Sequence, residues 1–254
     1  MKVGAQLFTV RDFTKTLPDF ADTLAKVAEI GYTSVQVSGT CAYEADWLNT
    51  ELKKNGLTCK ITHSPFDKMK ADPQGVVAFH RGFDCDCLGL GSYPDIATEA
   101  GVQKFLSEVP AVAHAIKEAG ALFSYHNHSS EFHHINGKPI LQILAESVPA
   151  EEMAFTLDCY WVQNAGADPA QWLLDLAGRV PYIHVKDMEM NGGNSDRIMA
   201  PIGQGNMNFP KIMQAAADAG TKVVYVEQDD CNGADPFACL KTSFEYLRAL
   251  GLDA

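Results

Sequence analysis

Four short runs of this 254-residue chain end an apolar stretch on a residue that can bind a metal or move a proton: SYHNHSSEF, FTLDCYW, YIHVKDM and VYVEQDD. Asp158, His184 and Glu227 stand at the stops of the last three, and the first run offers His126 and His128. If the runs are strands, residues two apart share a face, so His126 and His128 point one way and Asn127 the other. Carboxylates and imidazoles together form a mixed oxygen and nitrogen donor set. Such a set suits one divalent ion, Mn²⁺ or Zn²⁺ first, then Co²⁺ or Fe²⁺, and Mg²⁺ less well. Taken singly, an Asp at a strand end more often caps a helix, and a His is usually a satisfied hydrogen-bonding residue. Four such residues on four successive strand ends are much harder to assign to those uses.

Further polar residues are placed to line the same mouth. His63 follows an apolar run in CKITHSPF, Gln6 lies in the first run, Glu131 follows YHNH, and Lys186 is two residues past His184 on the same face. His63 before Ser-Pro can also serve only to shape a turn, and Glu131 only to anchor its loop. After YIHVK comes a long Gly/Asn-rich stretch, MEMNGGNSDRIMAPIGQGNMNFP, of the kind that covers a site. Its Arg197 and Gln204 are candidates for contact with substrate oxygens.

The elements that must carry these residues alternate regularly. Eight β-rich runs are expected at Val3 to Phe8, Ser34 to Val37, Thr58 to Thr62, Cys87 to Leu90, Leu122 to His126, Ala154 to Asp158, Tyr182 to Lys186 and Val223 to Glu227. Helical patterns separate and follow them, near residues 16–29, 43–55, 72–83, 98–118, 139–146, 169–177, 209–219 and 236–250. EIGYTSV, KNGLTCK, EAGALFS and DAGTKVV repeat one grammar, a helix closed by glycine before the next strand. Eight such units without an early Gly-rich phosphate fingerprint predict a single-domain (β/α)₈ TIM barrel over residues 1–254, in place of an open doubly wound sheet. LGLGSYPD lacks the third glycine of a dinucleotide fingerprint. In a closed barrel the strand ends converge on one mouth, where the chemistry of this fold is built.

Composition narrows the partners. The chain has 32 acidic and 20 basic residues, a formal charge of −12, which repels phosphate backbones and anionic lipid. Neither nucleic acid nor membrane is expected as a partner, and 46% apolar residues suffice for a sizeable core. MKVGAQLFTVRD has too short an apolar stretch for a secretory signal and runs straight into a patterned strand, so a cytoplasmic protein is expected. Seven cysteines, an odd number, fit reduced thiols better than a disulfide framework, and Cys85-x-Cys87 lacks the second pair that a zinc site needs. A homodimer is the default expectation from general symmetry.

Through VGAQLFTVRD, FSYHNHSSEF, LDCYWVQNAGADP, VPYIHVKDM, PIGQGNMNFP, VVYVEQD and the closing FEYLR, the chain resembles the sugar phosphate isomerase/epimerase family. These are xylose isomerase-like TIM barrels that also include inosose dehydratases, ketose 3-epimerases and, more distantly, endonuclease IV. The resemblance implies one metal held by a residue from each of the last four strands, with Asp158, His184 and Glu227 at matching positions. In the ketose epimerases the strand-five ligand is a glutamate paired in acid/base work with the strand-eight glutamate. Here YHNH offers His126, then His128, with Glu131 beyond, which departs from a two-glutamate mechanism. The larger ligand set of endonuclease IV is missing from the sequence.

The expected activity is therefore a metal-dependent isomerase or epimerase acting on a small carbohydrate or keto-sugar through an enediolate. Glu227 would serve as ligand and base, His128, Lys186 and Glu131 as further proton or charge donors, and His63, Gln6, Arg197 and Gln204 as substrate contacts. Three alternatives stand beside it: a keto-sugar or keto-inositol dehydratase on the same site, a hydrolase using a metal-bound water, and a sugar-binding barrel without chemistry.

Overall fold

Gly31, Gly56, Gly120 and Gly220 all take positive φ between the end of a helix and the start of a strand, a conformation that costs glycine little. They punctuate a chain that, in the computed structural model, is described over residues 1–253. Its strands are β1 (Lys2–Gln6), β2 (Ser34–Val37), β3 (Thr58–His63), β4 (Cys87–Leu90), β5 (Leu122–His126), β6 (Met153–Asp158), β7 (Tyr182–Val185) and β8 (Val223–Val226). Each pairs in parallel with the next, and β8 closes on β1 with Lys2 opposite Val223 and Ala5 opposite Val226. The closed (β/α)₈ barrel expected from the sequence is the fold.

Around it run helices α1 (Leu17–Ile30), α2 (Ala45–Lys54), α3 (Phe66–Ala71), α4 (Pro73–Arg81), α5 (Glu99–Glu118), α6 (Ile140–Ser147), α7 (Cys159–Asn164), α8 (Pro169–Asp175), α9 (Phe209–Asp218) and α10 (Pro236–Ala249). Several start on a side-chain cap: Thr16, Thr98, Asp168, Asn208 and Asp235 each accept from a backbone N–H of the first turn. The short helices α3 and α7 were not expected from the sequence. They sit directly after β3 and β6 and shorten the loops around the mouth.

The barrel interior is apolar where the strands begin. Cys87, Tyr182 and Val223, the first residues of β4, β7 and β8, cluster with Ile61 and Tyr225. Tyr225 packs so close to the first strand that a Cβ on Gly4 would lie 2.5 Å from its ring. Higher in the barrel the buried side chains turn polar, with Ser124 Oγ bonded to Thr156 Oγ1 at 2.8 Å and Gln36, His126, Asp158 and His184 fully enclosed. The apolar floor bars water from below and leaves the strand ends as the place where polar groups meet.

Most element boundaries shift by a residue or two from the sequence reading, and two differences have a clear local cause. The first strand stops at Gln6 because the Gln6 side chain accepts from Phe8 N at 2.8 Å, turning Leu7–Phe13 into a 3₁₀ segment. The stretch after β7 is also more ordered than a loop: Asp187–Met190 and Arg197–Ala200 pair antiparallel.

Candidate metal centre

His126, Asp158, His184 and Glu227 are brought together by β5, by β6, by β7 and by the residue that follows β8. All four are buried, and each contributes one ligand atom to a group whose members lie within 4.8 Å of one another. His126 Nε2 is 3.3 Å from Asp158 Oδ2, His184 Nδ1 is 3.2 Å from Glu227 Oε2, and His184 Nδ1 is 3.7 Å from Asp158 Oδ2. Ligands at about 2.0–2.2 Å from a tetrahedral ion lie roughly 3.4 Å apart, close to these three spacings.

The hydrogen bonds behind the group fix which atoms face inward. His126 Nδ1 lies 2.9 Å from the Gly91 carbonyl, which can only accept, so Nδ1 carries the proton and Nε2 is left with a lone pair. His184 Nε2 donates to Gln36 Oε1 at 2.6 Å, which leaves Nδ1 as its lone-pair nitrogen. Asp158 uses Oδ1 to accept from Trp161 N at 3.1 Å, and its backbone N–H is held by Asn127 Oδ1 at 3.0 Å, so Oδ2 is the inward oxygen. Among the described residues neither His184 Nδ1 nor Glu227 Oε2 has an aligned hydrogen-bond partner, although both are buried. Their 3.2 Å approach is close but not aligned for a hydrogen bond. A buried, unpartnered imidazole lone pair that converges with inward carboxylate oxygens is what a metal site requires, and the four side chains could hold one divalent ion.

Lys186, one residue past β7, completes the charge pattern. Its Nζ is 3.1 Å from Asp158 Oδ2, 2.7 Å from Glu227 Oε2 and 2.7 Å from Asp229 Oδ2, and 5.4 Å from the centre of the Trp161 ring. Burial alone would raise the carboxylate pKa values. The Lys186 ammonium and the neighbouring histidines outweigh it, holding Asp158 down at about 2 and Glu227 well below its usual range. The same carboxylates overcome the effect of burial on Lys186 and keep it charged, with its pKa raised. Asp229 goes the other way, pushed up to about 6 by burial and by the Glu227 charge. His128 is pushed down to about 4, by burial first and His126 second, so its ring is neutral near pH 7.

The remaining sequence candidates divide. His63 stands next to the group, its ring centre 5.2 Å from that of His126 and 5.7 Å from that of His184. Its Nδ1 faces Ser38 Oγ at 3.3 Å, and its buried Nε2 has no partner among the described residues. It also lines a cavity of about 470 Å³ with Ser38, Thr40, Tyr43, Ser64 and Lys68. His128 is half-buried, its ring 4.8 Å from that of His126 and 5.6 Å from that of Trp161. Gln6 is buried, and its Nε2 is unpartnered among the described residues. Glu131 is turned away from the four: its oxygens accept from Tyr125 OH at 2.5 Å, His128 N at 3.0 Å and Ser130 Oγ at 2.8 Å, which anchors the loop after β5. Arg197 is exposed on the hairpin and donates to the Asn164 carbonyl at 2.8 Å, and Gln204 is exposed in the turn that follows. Neither joins the buried group.

Four residues that shape the site were not singled out from the sequence. Gln36 sits in SVQV, where strand alternation is the only signal. Trp161 and Asp229 follow strand-end acids in DCYW and EQDD, a placement that could have flagged them. Asp187 of HVKD is fully buried and accepts from the backbone N–H groups of Met188, Gly203, Gly205 and Met207 at 2.8–3.1 Å, gathering the long segment after β7 over the mouth.

Comparison with known proteins agrees with this fold. Among solved structures, a sugar phosphate isomerase/epimerase from Parabacteroides distasonis superposes with a TM-score of 0.83 at 24% identity, covering 98% of this chain and 93% of that one. A probable 3-DHS dehydratase involved in petrobactin synthesis, from Bacillus anthracis, gives 0.76 at 15% identity, covering 98% and 99%. An L-ribulose 3-epimerase gives 0.76 at 15% identity, covering 98% and 94%. At these identities the likeness concerns the fold. No curated protein matches the chain in sequence. The xylose isomerase-like TIM barrel model matches residues 24–250, nearly the whole barrel and all four converging side chains, and the chain belongs to that family.

Proposed function

We propose that the protein is a divalent-metal-dependent isomerase or epimerase of a small carbohydrate or keto-sugar, with His126, Asp158, His184 and Glu227 as ligands of Mn²⁺ or Zn²⁺. The observation that carries this reading is the buried, unpartnered lone pair of His184 Nδ1, which converges with His126 Nε2 and the inward oxygens of Asp158 and Glu227 in one four-residue group. When bound, such an ion supplies positive charge to a carbonyl and its neighbouring hydroxyl and so acidifies the C–H between them.

The protein's own side chains would do the rest. Glu227, held as a carboxylate, accepts the carbon-bound proton, and the Lys186 ammonium donates a hydrogen bond to the substrate oxygen that gains negative charge in the enediolate. His128, neutral near pH 7, can return or accept a proton. The His63 Nε2 lone pair or N–H contacts a substrate hydroxyl from the adjoining cavity. Seven free thiols fit a reducing, cytoplasmic setting. Among the described residues no helix is long and apolar enough to cross a membrane.

A keto-sugar or keto-inositol dehydratase is the second reading, favoured by one observation. A relay between two glutamates needs a second carboxylate, and here the strand-five position is His126 while both oxygens of Glu131 are committed to its loop. Loss of a β-hydroxyl then needs only one base, Glu227, and one proton donor for the departing water, the Lys186 ammonium. The test is incubation of the metal-loaded protein with a panel of keto-sugars and keto-inositols in D₂O. Deuterium at carbon with no other change in composition supports isomerisation or epimerisation, and loss of one water supports dehydration. Absence of exchange and of product with every compound would contradict both.

A further inference from the structure

Asp229 is the outermost of three carboxylates that share the Lys186 ammonium, and it holds that ammonium as closely as Glu227 does, at 2.7 Å. The three do not occupy equivalent places. Asp158 Oδ2 and Glu227 Oε2 face the histidines, with His126 Nε2 and His184 Nδ1 at 3.3 and 3.2 Å. Asp229 makes no ion pair with either histidine. Its side chain is a quarter exposed, and it lines a polar cavity at the rim with Thr9, Arg11 and Asp12.

The backbone around Asp229 is held firmly. Its carbonyl accepts from Arg11 Nη2 at 3.0 Å, Arg11 is braced by the Phe8 carbonyl at 2.8 Å, and the preceding N–H of Gln228 is bonded to Thr9 Oγ1 at 2.9 Å. The 3₁₀ segment after β1 therefore fixes the loop after β8, and with it the direction from which Asp229 pulls.

The pull has a clear physical effect. The ammonium touches both inward carboxylate oxygens, yet His184 Nδ1 accepts no hydrogen bond from it and stays unpartnered. The cation thus engages the carboxylate side of the ligand group and not His184 Nδ1. An ammonium free to slide further inward would satisfy His184 Nδ1 as well and compete more strongly with any other cation for Asp158 and Glu227. With the histidines neutral, the three carboxylates and one ammonium carry a net charge of −2, equal and opposite to one divalent ion, so a bound ion leaves the buried site neutral.

We propose that Asp229 is a positioning residue for Lys186: it draws the ammonium toward the rim, where it pairs with Asp158 and Glu227 but leaves His184 Nδ1 free, and so limits how strongly the ammonium competes with the divalent ion for those two carboxylates. The inference rests on the metal reading of the four-residue site. It assigns Asp229 a role through Lys186 alone, and that makes it separable from a general effect of negative charge.

The test is a double-mutant cycle read as metal affinity. Free Mn²⁺ is followed by its electron paramagnetic resonance signal, and Zn²⁺ by competition with a chromophoric chelator. Asp229→Asn keeps the shape, frees the ammonium to move inward, and is expected to weaken ion binding about tenfold or more. Lys186→Met removes the competitor and is expected to tighten it. In the double variant the Asp229→Asn penalty should largely disappear, with affinity returning close to that of Lys186→Met. Trp161 fluorescence gives an independent readout, since Nζ stands 5.4 Å from its ring: Asp229→Asn should change the emission of the metal-free protein, and Lys186→Met should abolish that difference.

Lys186→Gln replaces Lys186→Met if the latter does not give the native circular dichroism. An undiminished penalty of Asp229→Asn in the Lys186 variant would overturn the inference, because Asp229 would then act as a bulk charge. Weaker binding in Lys186→Met than in the parent would also overturn it. If the parent protein binds neither Mn²⁺ nor Zn²⁺, the metal reading itself fails, a result distinct from the other two.

Discussion

Replacing Gln36 by Leu removes the acceptor for His184 Nε2–H while nearly conserving volume. Gln36 and His184 are both fully buried and their bond is 2.6 Å long, so water has no direct route to the orphaned N–H. Two effects follow, with separate magnitudes. Leaving one buried donor unpaired costs about 1–3 kcal/mol of stability, read as a fall in the denaturation midpoint of the metal-free protein. Loss of the partner that orients a ligand and fixes its tautomer weakens metal binding by about 10–100-fold, or roughly 1.4–2.8 kcal/mol. Chelator-competition titration of Zn²⁺ against parent and variant measures the second effect. Gln36→Glu, which still accepts the same N–H, should bind the ion at least as tightly as the parent. Unchanged metal affinity in Gln36→Leu would refute the reasoning that Gln36 holds His184 Nδ1 as the free nitrogen.

Asp187→Ala strips the shared acceptor from four backbone N–H groups, and a loss of about 2–4 kcal/mol is expected, at roughly 1.5–3 kcal/mol per bond to a charged group less what water recovers. Hydrogen exchange should rise across residues 188–207; an unchanged exchange pattern there would show that the segment is held by other contacts. His80, bonded to Thr62 Oγ1 at 2.7 Å, has its pKa lowered by burial first, with the Val76 carbonyl opposing. Its unfolded value is about 6.5, so below that pH the unfolded chain binds the extra proton and stability falls as the pH drops toward the lower folded value. Urea midpoints for His80→Gln should lose up to one proton of that acid-side slope, about 1.4 kcal/mol per pH unit, and an identical slope would contradict the assignment.

Particular residues show how far the chain announces its own fold and site. The eight strands were legible because β-rich runs alternate with helical spacing and because glycines such as Gly31 and Gly120 mark each return to the barrel. The first strand was overrun since Leu7 and Phe8 look like its continuation, and only the Gln6 side chain bonding to Phe8 N turns the backbone. The hairpin of Asp187–Met190 with Arg197–Ala200 was hidden because Asn191, Gly192, Gly193 and Asn194 read as loop and its strands lack apolar alternation.

At the site, Asp158, His184 and Glu227 stood out because barrel closure brings strand ends together whatever their separation in sequence. His126 could not be separated from His128 by alternation alone. The structure ends β5 at His126 and places His128 at the start of a 3₁₀ turn, so the two no longer share a strand face. Glu131 belongs to the same lesson: a carboxylate near a site carries no signal that a tyrosine hydroxyl and two neighbouring groups have already claimed its oxygens. Gln36 and Asp229 act through other side chains, and such partnerships exist only once β2, β7 and the loop after β8 are adjacent.

The most direct test is the metal content of protein purified without chelators, measured by elemental mass spectrometry for the parent and for Asp158→Ala and His184→Ala. About one Mn, Zn, Co or Fe per parent chain is expected, with loss of that metal in both variants while the circular dichroism stays that of a folded barrel. A parent chain that holds no metal even after incubation with Mn²⁺ or Zn²⁺, or variants that keep a full complement, would contradict the assignment of these four side chains as a metal centre.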